Sequence, residues 1–267
     1  MKKLKSVIQD GDYILIVYDE KRRWIVQVKT GQAFHTNKGI IEFDKLIGKP
    51  YGIQLPSSKH KNFLIFPPTP ADFLFKTVRK TQIIYPKDAS FILVNTGIGP
   101  GSRVVEAGTG SGGLCSILAY YIRPNGKVYT YEIRAEFLKK AQKTLQRLGL
   151  EEFVEFKNKD ILEGIEEKNV DSVILDLAIP WDIVPLARDA LKPGGILASF
   201  SPTIDQIQKT TTALKKNNFG DIQVFELLLR SWQISSKNKA IQATRPHTQM
   251  IGHTGFMIFA RKIEINK

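Results

Sequence analysis

Cysteine is almost missing from this chain of 267 residues: Cys115 stands alone, so no intrachain disulfide can form. Its place in an apolar helical run reads as an inert core thiol. Long apolar runs are missing too. None approaches the ~20 residues that cross a bilayer. The opening Met1-Lys2-Lys3-Leu4-Lys5 lacks the apolar segment of a secretory signal, and a soluble cytoplasmic protein is expected. His247 and His253 have no companions at metal-ligand spacing, so no metal is expected. No internal repeat or low-complexity segment occurs. Acid is scarce, with 26 Asp and Glu against 39 Lys and Arg, a net charge of +13. Such an excess points to a polyanionic partner, nucleic acid before an anionic membrane. The 42% hydrophobic content is enough for a full core, and the length suits one large domain plus a small one.

What is present centres on Arg103-Val104-Val105-Glu106-Ala107-Gly108-Thr109-Gly110-Ser111-Gly112-Gly113-Leu114. This reads as a buried strand, a glycine-rich turn and the start of a helix. Turns of this kind at the carboxyl end of a first strand bind nucleotides in open α/β sheets. Gly108, Gly110 and Gly113 also satisfy the dinucleotide pattern, so the glycines alone decide little. Glu106 decides more, because a carboxylate there repels a pyrophosphate but suits an ammonium or a sulfonium. Val128–Tyr131 leads into Glu132, roughly twenty residues past the last turn glycine, the spacing at which an acid takes ribose hydroxyls. Asp160 follows the strand Phe153–Phe156, and Asp176 ends the strand Ser172–Leu175. Four successive strands thus run into a carboxylate on one edge, a pattern that fits S-adenosyl-L-methionine, which carries a sulfonium and no phosphate.

Along the chain, residues 1–66 are expected to form a small β-rich, barrel-like domain. Its strands are Tyr13–Tyr18, Trp24–Val28, Gly39–Phe43, Tyr51–Leu55 and Phe63–Phe66. Lys2, Lys3, Lys5, Lys21, Arg22, Arg23, Lys29 and Lys38 give it a basic surface suited to RNA. Pro67-Pro68-Thr69-Pro70 marks a boundary. Residues 67–100 form a linker with helices at Ala71–Arg79 and Lys87–Thr96. Residues 101–267 alternate strand and helix, which means a parallel sheet with helices on both faces, a Rossmann-like α/β domain. After Gly220 the alternation stops. Ile222–Leu229 and Thr254–Ala260 read as two strands with no helix between them, an antiparallel edge.

Four blocks together carry a resemblance: Gln82-Ile83-Ile84-Tyr85-Pro86-Lys87-Asp88, Glu106–Gly112, Asp176-Leu177-Ala178-Ile179-Pro180-Trp181 and Gly252-His253-Thr254-Gly255. With the segment around His35-Thr36-Asn37-Lys38-Gly39, the chain resembles the tRNA adenine-N(1) methyltransferases of the TrmI type nearly end to end. The resemblance implies a class I methyltransferase that uses S-adenosyl-L-methionine, a T-loop adenine of tRNA (position 58, with 57 added in archaeal members) and a homotetramer. It places Gln82 near the methionine moiety. Ala178 departs from the family, which commonly has proline there.

Adenine N-1 has an in-plane lone pair and needs no deprotonation before attack. It needs desolvation, in-line positioning and stabilisation of the positive charge that spreads over the purine. Asp176, beside the expected methyl, is assigned to that charge and to the adenine 6-amino group. Tyr85, between Ile84 and Pro86, is the second base contact, and Trp181 after Pro180 offers a stackable wall. Glu106 and the backbone of Gly108, Gly110, Ser111, Gly112, Gly113 and Leu114 are expected to take the amino-acid end of the cofactor, Glu132 its ribose and Asp160 its adenine amino group. Phe137, one helical turn past Glu132, is placed on the adenine, and His253 shapes a loop near the site. Two other readings stay open: a different class I methyltransferase, such as an isoaspartyl-repair enzyme, and a catalytically silent RNA-binding subunit.

Overall fold

The computed structural model describes residues 6–77, 84–235 and 243–264. The chain divides into two compact units, Met1–Arg79 and Lys80–Lys267.

The first unit contains β1 (Tyr13–Val17), β2 (Arg23–Gln27), β3 (Ala33–Thr36), β4 (Gly39–Glu42), β5 (Ile53–Pro56) and β6 (Asn62–Phe66), followed by helix α1 (Pro70–Thr77). Four strands form an antiparallel sheet in the order β2-β1-β6-β5, and β3 pairs with β4 as a separate hairpin. β1 is central, so Ile14, Leu15 and Ile16 are all buried and its sequence reads as one apolar run. Asp19 shapes the β1–β2 turn by accepting from the N–H groups of Lys21 (3.1 Å) and Arg22 (2.8 Å). Ile8, Ile14, Ile16, Ile41, Phe43, Leu46, Phe63 and Ile65 build the core. β3 was not expected from the sequence, because four residues including a polar His35 carry little strand signal. Tertiary packing supplies it: Phe34 meets Trp24 at 5.4 Å between ring centroids.

The second unit runs α2 (Pro86–Thr96), β7 (Arg103–Ala107), α3 (Gly113–Tyr121), β8 (Lys127–Tyr131), α4 (Ala135–Leu148), β9 (Val154–Lys157) and β10 (Val170–Leu175). It continues with α5 (Pro180–Ala190), β11 (Leu191–Ser201), α6 (Ile204–Lys216), β12 (Phe219–Glu226), β13 (Trp232–Ser235), β14 (Ala243–Pro246) and β15 (Phe256–Lys262). Seven of these strands form one sheet in the order β12-β15-β11-β10-β7-β8-β9. β9, β8, β7, β10 and β11 are parallel, and β15 runs antiparallel to both β11 and β12. The sheet is covered on both faces, so β7 and β10 are apolar along most of their length, and Val104, Val105, Val173, Ile174 and Leu175 are fully buried. Each such aliphatic side chain contributes roughly 1.5–3 kcal/mol relative to exposure. α4 shows the alternative pattern: Leu138, Ala141 and Leu145 recur at helical spacing and are buried, while its lysines face outward.

The chain builds outward from β7 through β8 to β9, then crosses back to place β10 on the other side of β7. The register sets Leu175 beside Ala107, so the carboxyl ends of β7 and β10 lie level. That reversal opens a crevice above the strand ends, where open α/β sheets bind ligands. The last edge is antiparallel, as the loss of alternation indicated. The hairpin of β13 and β14, which pairs Trp232 with Pro246, falls between β12 and β15 in the chain, forms a separate two-stranded sheet and has no clear sequence signal.

Candidate active site

The glycine turn is fixed by the close approach of β7 and β10. Gly108 has φ of 95°, and a Cβ on it would stand 2.2 Å from the Asp176 carbonyl oxygen. Only glycine fits while Asp176 N–H donates to the Ala107 carbonyl at 2.9 Å. Gly112 (φ 81°) caps α3, and a Cβ there would come within 3.1 Å of Ala141, so it sets the approach of α3 to α4.

Above these strand ends lies a cleft of about 680 Å³, within the usual range for small-molecule sites. Gly108, Gly110, Glu132, Phe137, Asp160 and Asp176 all line it. Glu132 is buried. Its carboxylate accepts from Gly110 N–H at 3.0 Å, Arg134 N–H at 3.1 Å and Arg134 Nε at 3.2 Å, which tie it to the glycine turn. Asp160 accepts from Leu162 N–H at 2.9 Å and so shapes the loop after β9. Phe137 is half-buried, with the Arg134 guanidinium 3.9 Å from its ring centroid and Lys140 Nζ 4.5 Å from it. Asp176 differs from the other acids. Among the described residues no donor reaches its carboxylate, and burial pushes its pKa up to about 6. An acid in that state is poised to gain from a cationic neighbour.

Glu106 is not among the residues that line this cleft; it lies beside Cys115 and Thr130 and is fully buried. Its Oε2 lies 2.6 Å from the Thr130 hydroxyl, which lies 2.6 Å from the Thr109 hydroxyl, itself 3.1 Å from the Tyr131 carbonyl. Thr130 donates to Glu106, and Thr109 donates to the Tyr131 carbonyl. Burial raises the Glu106 pKa to about 8, opposed by Thr130 and Cys115 and reinforced by the charges of Asp176 and Glu132. Ser111, Gly112, Gly113 and Leu114 build the turn and first turn of α3 and likewise are not among the lining residues.

Tyr85 caps α2; its carbonyl accepts from the N–H groups of Asp88 and Ala89, both at 2.9 Å. That helix start is anchored by a polar cluster in which Lys87 Nζ donates to Asp88 (2.7 Å) and Thr254 (2.6 Å), and Thr254 donates to Asp88 (2.9 Å). Trp181 lines a separate shallow depression between α5 and α6, with Lys209 Nζ 5.0 Å from its ring centroid. His253 bridges Glu226 (2.6 Å) and the Pro202 carbonyl (3.0 Å), and the Glu226 carboxylate raises its pKa. Gln82 lies outside the described residues. The sequence reading missed the apolar walls. Ile133 and Leu162 line the cleft while 64% and 45% exposed, and Ile179 joins them. An isoleucine directly after a strand-ending acid, with nothing to bury against, was the available signal.

The arrangement suits a ligand with a positive centre, hydroxyls and a flat apolar ring. It offers buried acids, exposed aliphatic walls and a turn where no side chain blocks the backbone. Ser111 Oγ and Glu106 Oε1 are buried without partners among the described residues. The donor set therefore fits S-adenosyl-L-methionine.

Comparison with known proteins agrees. Residues 62–242 match the family model described as tRNA methyltransferase complex GCD14 subunit, and residues 7–54 match TrmI-like N-terminal. A Methanocaldococcus jannaschii protein, tRNA (adenine(57)-N(1)/adenine(58)-N(1))-methyltransferase TrmI, is 37% identical over 93% of this chain and 94% of its own. The crystal structure of tRNA (m1A58) methyltransferase TrmI from Aquifex aeolicus superposes with a TM-score of 0.82 at 31% identity, covering 97% of this chain and 100% of that one. A Thermotoga maritima structure described as a SAM-dependent O-methyltransferase gives a TM-score of 0.89 at 34% identity, covering 100% of this chain and 98% of that one.

Proposed function

The chain belongs to the TrmI/GCD14 family of tRNA methyltransferases, and from that premise we propose that it methylates N-1 of adenine 58 in the T loop of tRNA. The observation that carries this reading is Asp176: a carboxylate without a donor among the described residues, at the β10 end of an acid-lined cleft. When bound, S-adenosyl-L-methionine supplies a methyl group on a sulfonium. The adenine N-1 lone pair forms the new C–N bond, the C–S pair returns to sulfur, and the positive charge passes to the purine. No proton need leave. Asp176 stabilises that charge and accepts from the 6-amino group, an interaction stronger in the transition state than before it. Glu132 holds the ribose hydroxyls and Asp160 the cofactor's adenine amino group, with Ile133, Leu162 and Phe137 against the ring. Tyr85 and Trp181 are assigned to the target base; neither lines the cleft, so each role requires the base to bring its own surface to them.

The basic β-rich segment, residues 1–66, is assigned to tRNA. Its Lys21, Lys38, Lys49, Lys59 and Lys61 form no ion pair among the described residues and so are available to phosphates. A homotetramer is the proposed assembly. Its support is an exposed apolar face on the second unit, where Val94, Leu228 and Leu229 are 79%, 66% and 63% exposed. No helix among the described residues is long and apolar enough to cross a membrane, and the cytoplasm, where tRNA is met, is the proposed location. Mass spectrometry of tRNA incubated with protein and isotopically labelled cofactor tests the function. Labelled 1-methyladenosine at position 58 is expected, and label at 57 as well would match the archaeal relative. Unlabelled tRNA with a protein that binds cofactor would overturn the reading.

A further inference from the structure

The segment Asp176–Ile179 lines the cleft, yet little holds it. Asp176 N–H is tied to Ala107, and the Ile179 carbonyl accepts from Asp182 N–H at 3.3 Å. Between those points, among the described residues, one side chain ties the segment to a neighbouring element: Gln206 Nε2 donates to the Ala178 carbonyl at 3.0 Å. Gln206 stands at the third position of α6 in a capping box. Thr203 Oγ1 accepts from Gln206 N–H at 3.3 Å, and Gln206 Oε1 accepts from Thr203 N–H at 3.2 Å and from the Thr203 hydroxyl at 3.0 Å. The orientation of the amide is fixed on both sides. A backbone N–H can only donate, so it must face Oε1, and a carbonyl can only accept, so it must face Nε2.

A capping box works equally well with Glu at this place. Glutamine adds one thing that glutamate lacks, a donor for Ala178. The loop that carries the cap is pinned in turn, because Pro202 accepts from His253, which is held by Glu226. We propose that Gln206 is a positioning residue for methyl transfer: its amide straps the rim after β10 to the start of α6 and so holds Asp176 against the reacting base. It touches neither cofactor nor base and acts through Ala178. The same line of contacts connects His253 to the site at a distance.

This rests on the proposed methyl transfer for its kinetic arm only. Gln206→Glu keeps the cap and sets a carboxylate oxygen against the Ala178 carbonyl, while Gln206→Ala keeps the Thr203 bond to the backbone N–H of residue 206 and loses the reciprocal half of the box together with the strap. Two measurements on the full-length protein decide. Amide hydrogen exchange at Leu177–Ile179, without any substrate, should speed up several-fold in Gln206→Glu while melting temperature stays close to wild type. Single-turnover methylation of tRNA at saturating cofactor should fall about tenfold in that variant, with the cofactor dissociation constant changed less than about threefold. Gln206→Ala should show the same loss of rate and also melt earlier. Unchanged exchange in Gln206→Glu overturns the strap whatever the substrate is, and faster exchange with an unchanged rate overturns the positioning role. If the wild-type protein does not methylate tRNA, the function fails, and the exchange measurement still judges the strap.

Discussion

Replacing Asp176 with Asn separates the two consequences of burying this acid. The change keeps shape and an accepting oxygen and removes only the charge. Burial moves the carboxyl from 3.8 to about 6, so the ionised form is penalised by about 3 kcal/mol in the cofactor-free protein, at about 1.4 kcal/mol per factor of ten. A group whose folded pKa is raised binds its proton more tightly in the folded state, and wild-type stability therefore declines as pH rises from below 3.8 through about 6. Above that window Asp176→Asn should be as stable as wild type or more stable, by up to that 3 kcal/mol, and the gain should vanish near pH 3.5. Catalysis should move the other way. If the penalty is recovered by the charge that develops on adenine, removing the carboxylate should slow single-turnover methylation by about 10²-fold, the scale of losing one preorganised electrostatic partner. Cofactor affinity should change far less. Thermal melting at pH 7.5 and pH 3.5, beside single-turnover assays at saturating tRNA and cofactor, reads both. A variant that melts well below wild type at pH 7.5, or that keeps the wild-type rate, would refute the reasoning.

Glu132→Ala should weaken cofactor binding by calorimetry at least several-fold, a loss of ~1–3 kcal/mol for the unpaired groups it leaves; unchanged affinity would move the site elsewhere. The affinity for tRNA should fall steeply with log salt, in proportion to the phosphates neutralised, and a flat dependence with folded protein would remove nucleic acid as the partner. Glu106→Gln should match wild type below pH 4.5, where both side chains are neutral in the folded and unfolded states, and should melt later than wild type at pH 7, where the unfolded wild type gains by ionising. The variant should also lose less stability than wild type between pH 4.5 and pH 8, the window over which the raised Glu106 carboxyl costs the folded state. Collapse of the variant at neutral pH would mean that Glu106 is ionised in the fold.

The parts of this molecule that were readable in sequence are those set by local spacing. The glycine turn announces itself because Gly108 must admit the Asp176 carbonyl, and the acids at 132, 160 and 176 follow strands whose apolar runs are plain. Direction and distance were not readable. Glu106 reads as a fourth strand-end acid; β7 continues through Ala107, so Glu106 is still a sheet residue, held beside Cys115 and Thr130 and absent from the cleft lining. Trp181 looks like a wall of the site, but the first turn of α5 sends it toward Lys209, while Ile179 and Ile183 reach the cleft. The capping pattern Thr203-Ile204-Asp205-Gln206 marks a helix start in sequence. Its second bond, to Ala178, depends on β10 and β11 being neighbours. The β13–β14 hairpin has only four residues to a strand, too few to show an alternating pattern that would distinguish it from a loop.

Two electrostatic demands meet in this chain. A net charge of +13 draws a polyanion, whereas the cofactor that the cleft fits is itself positive at sulfur and at its amino group. A uniformly basic protein would repel it. The sheet resolves the conflict by gathering Glu132, Asp160 and Asp176 at the strand ends, so the local field opposes the global one. Acids so close repel one another, and the structure relieves that in different ways. Glu132 accepts from backbone N–H groups and Arg134, and Asp160 accepts from Leu162 N–H. Burial shifts Glu106 toward its protonated form. Asp176 alone is left without a donor among the described residues, and so its partner must come from the reaction. The surrounding positive surface can then hold phosphates without entering the cleft, because solvent and salt screen it over about 8–10 Å while the buried acids are screened much less.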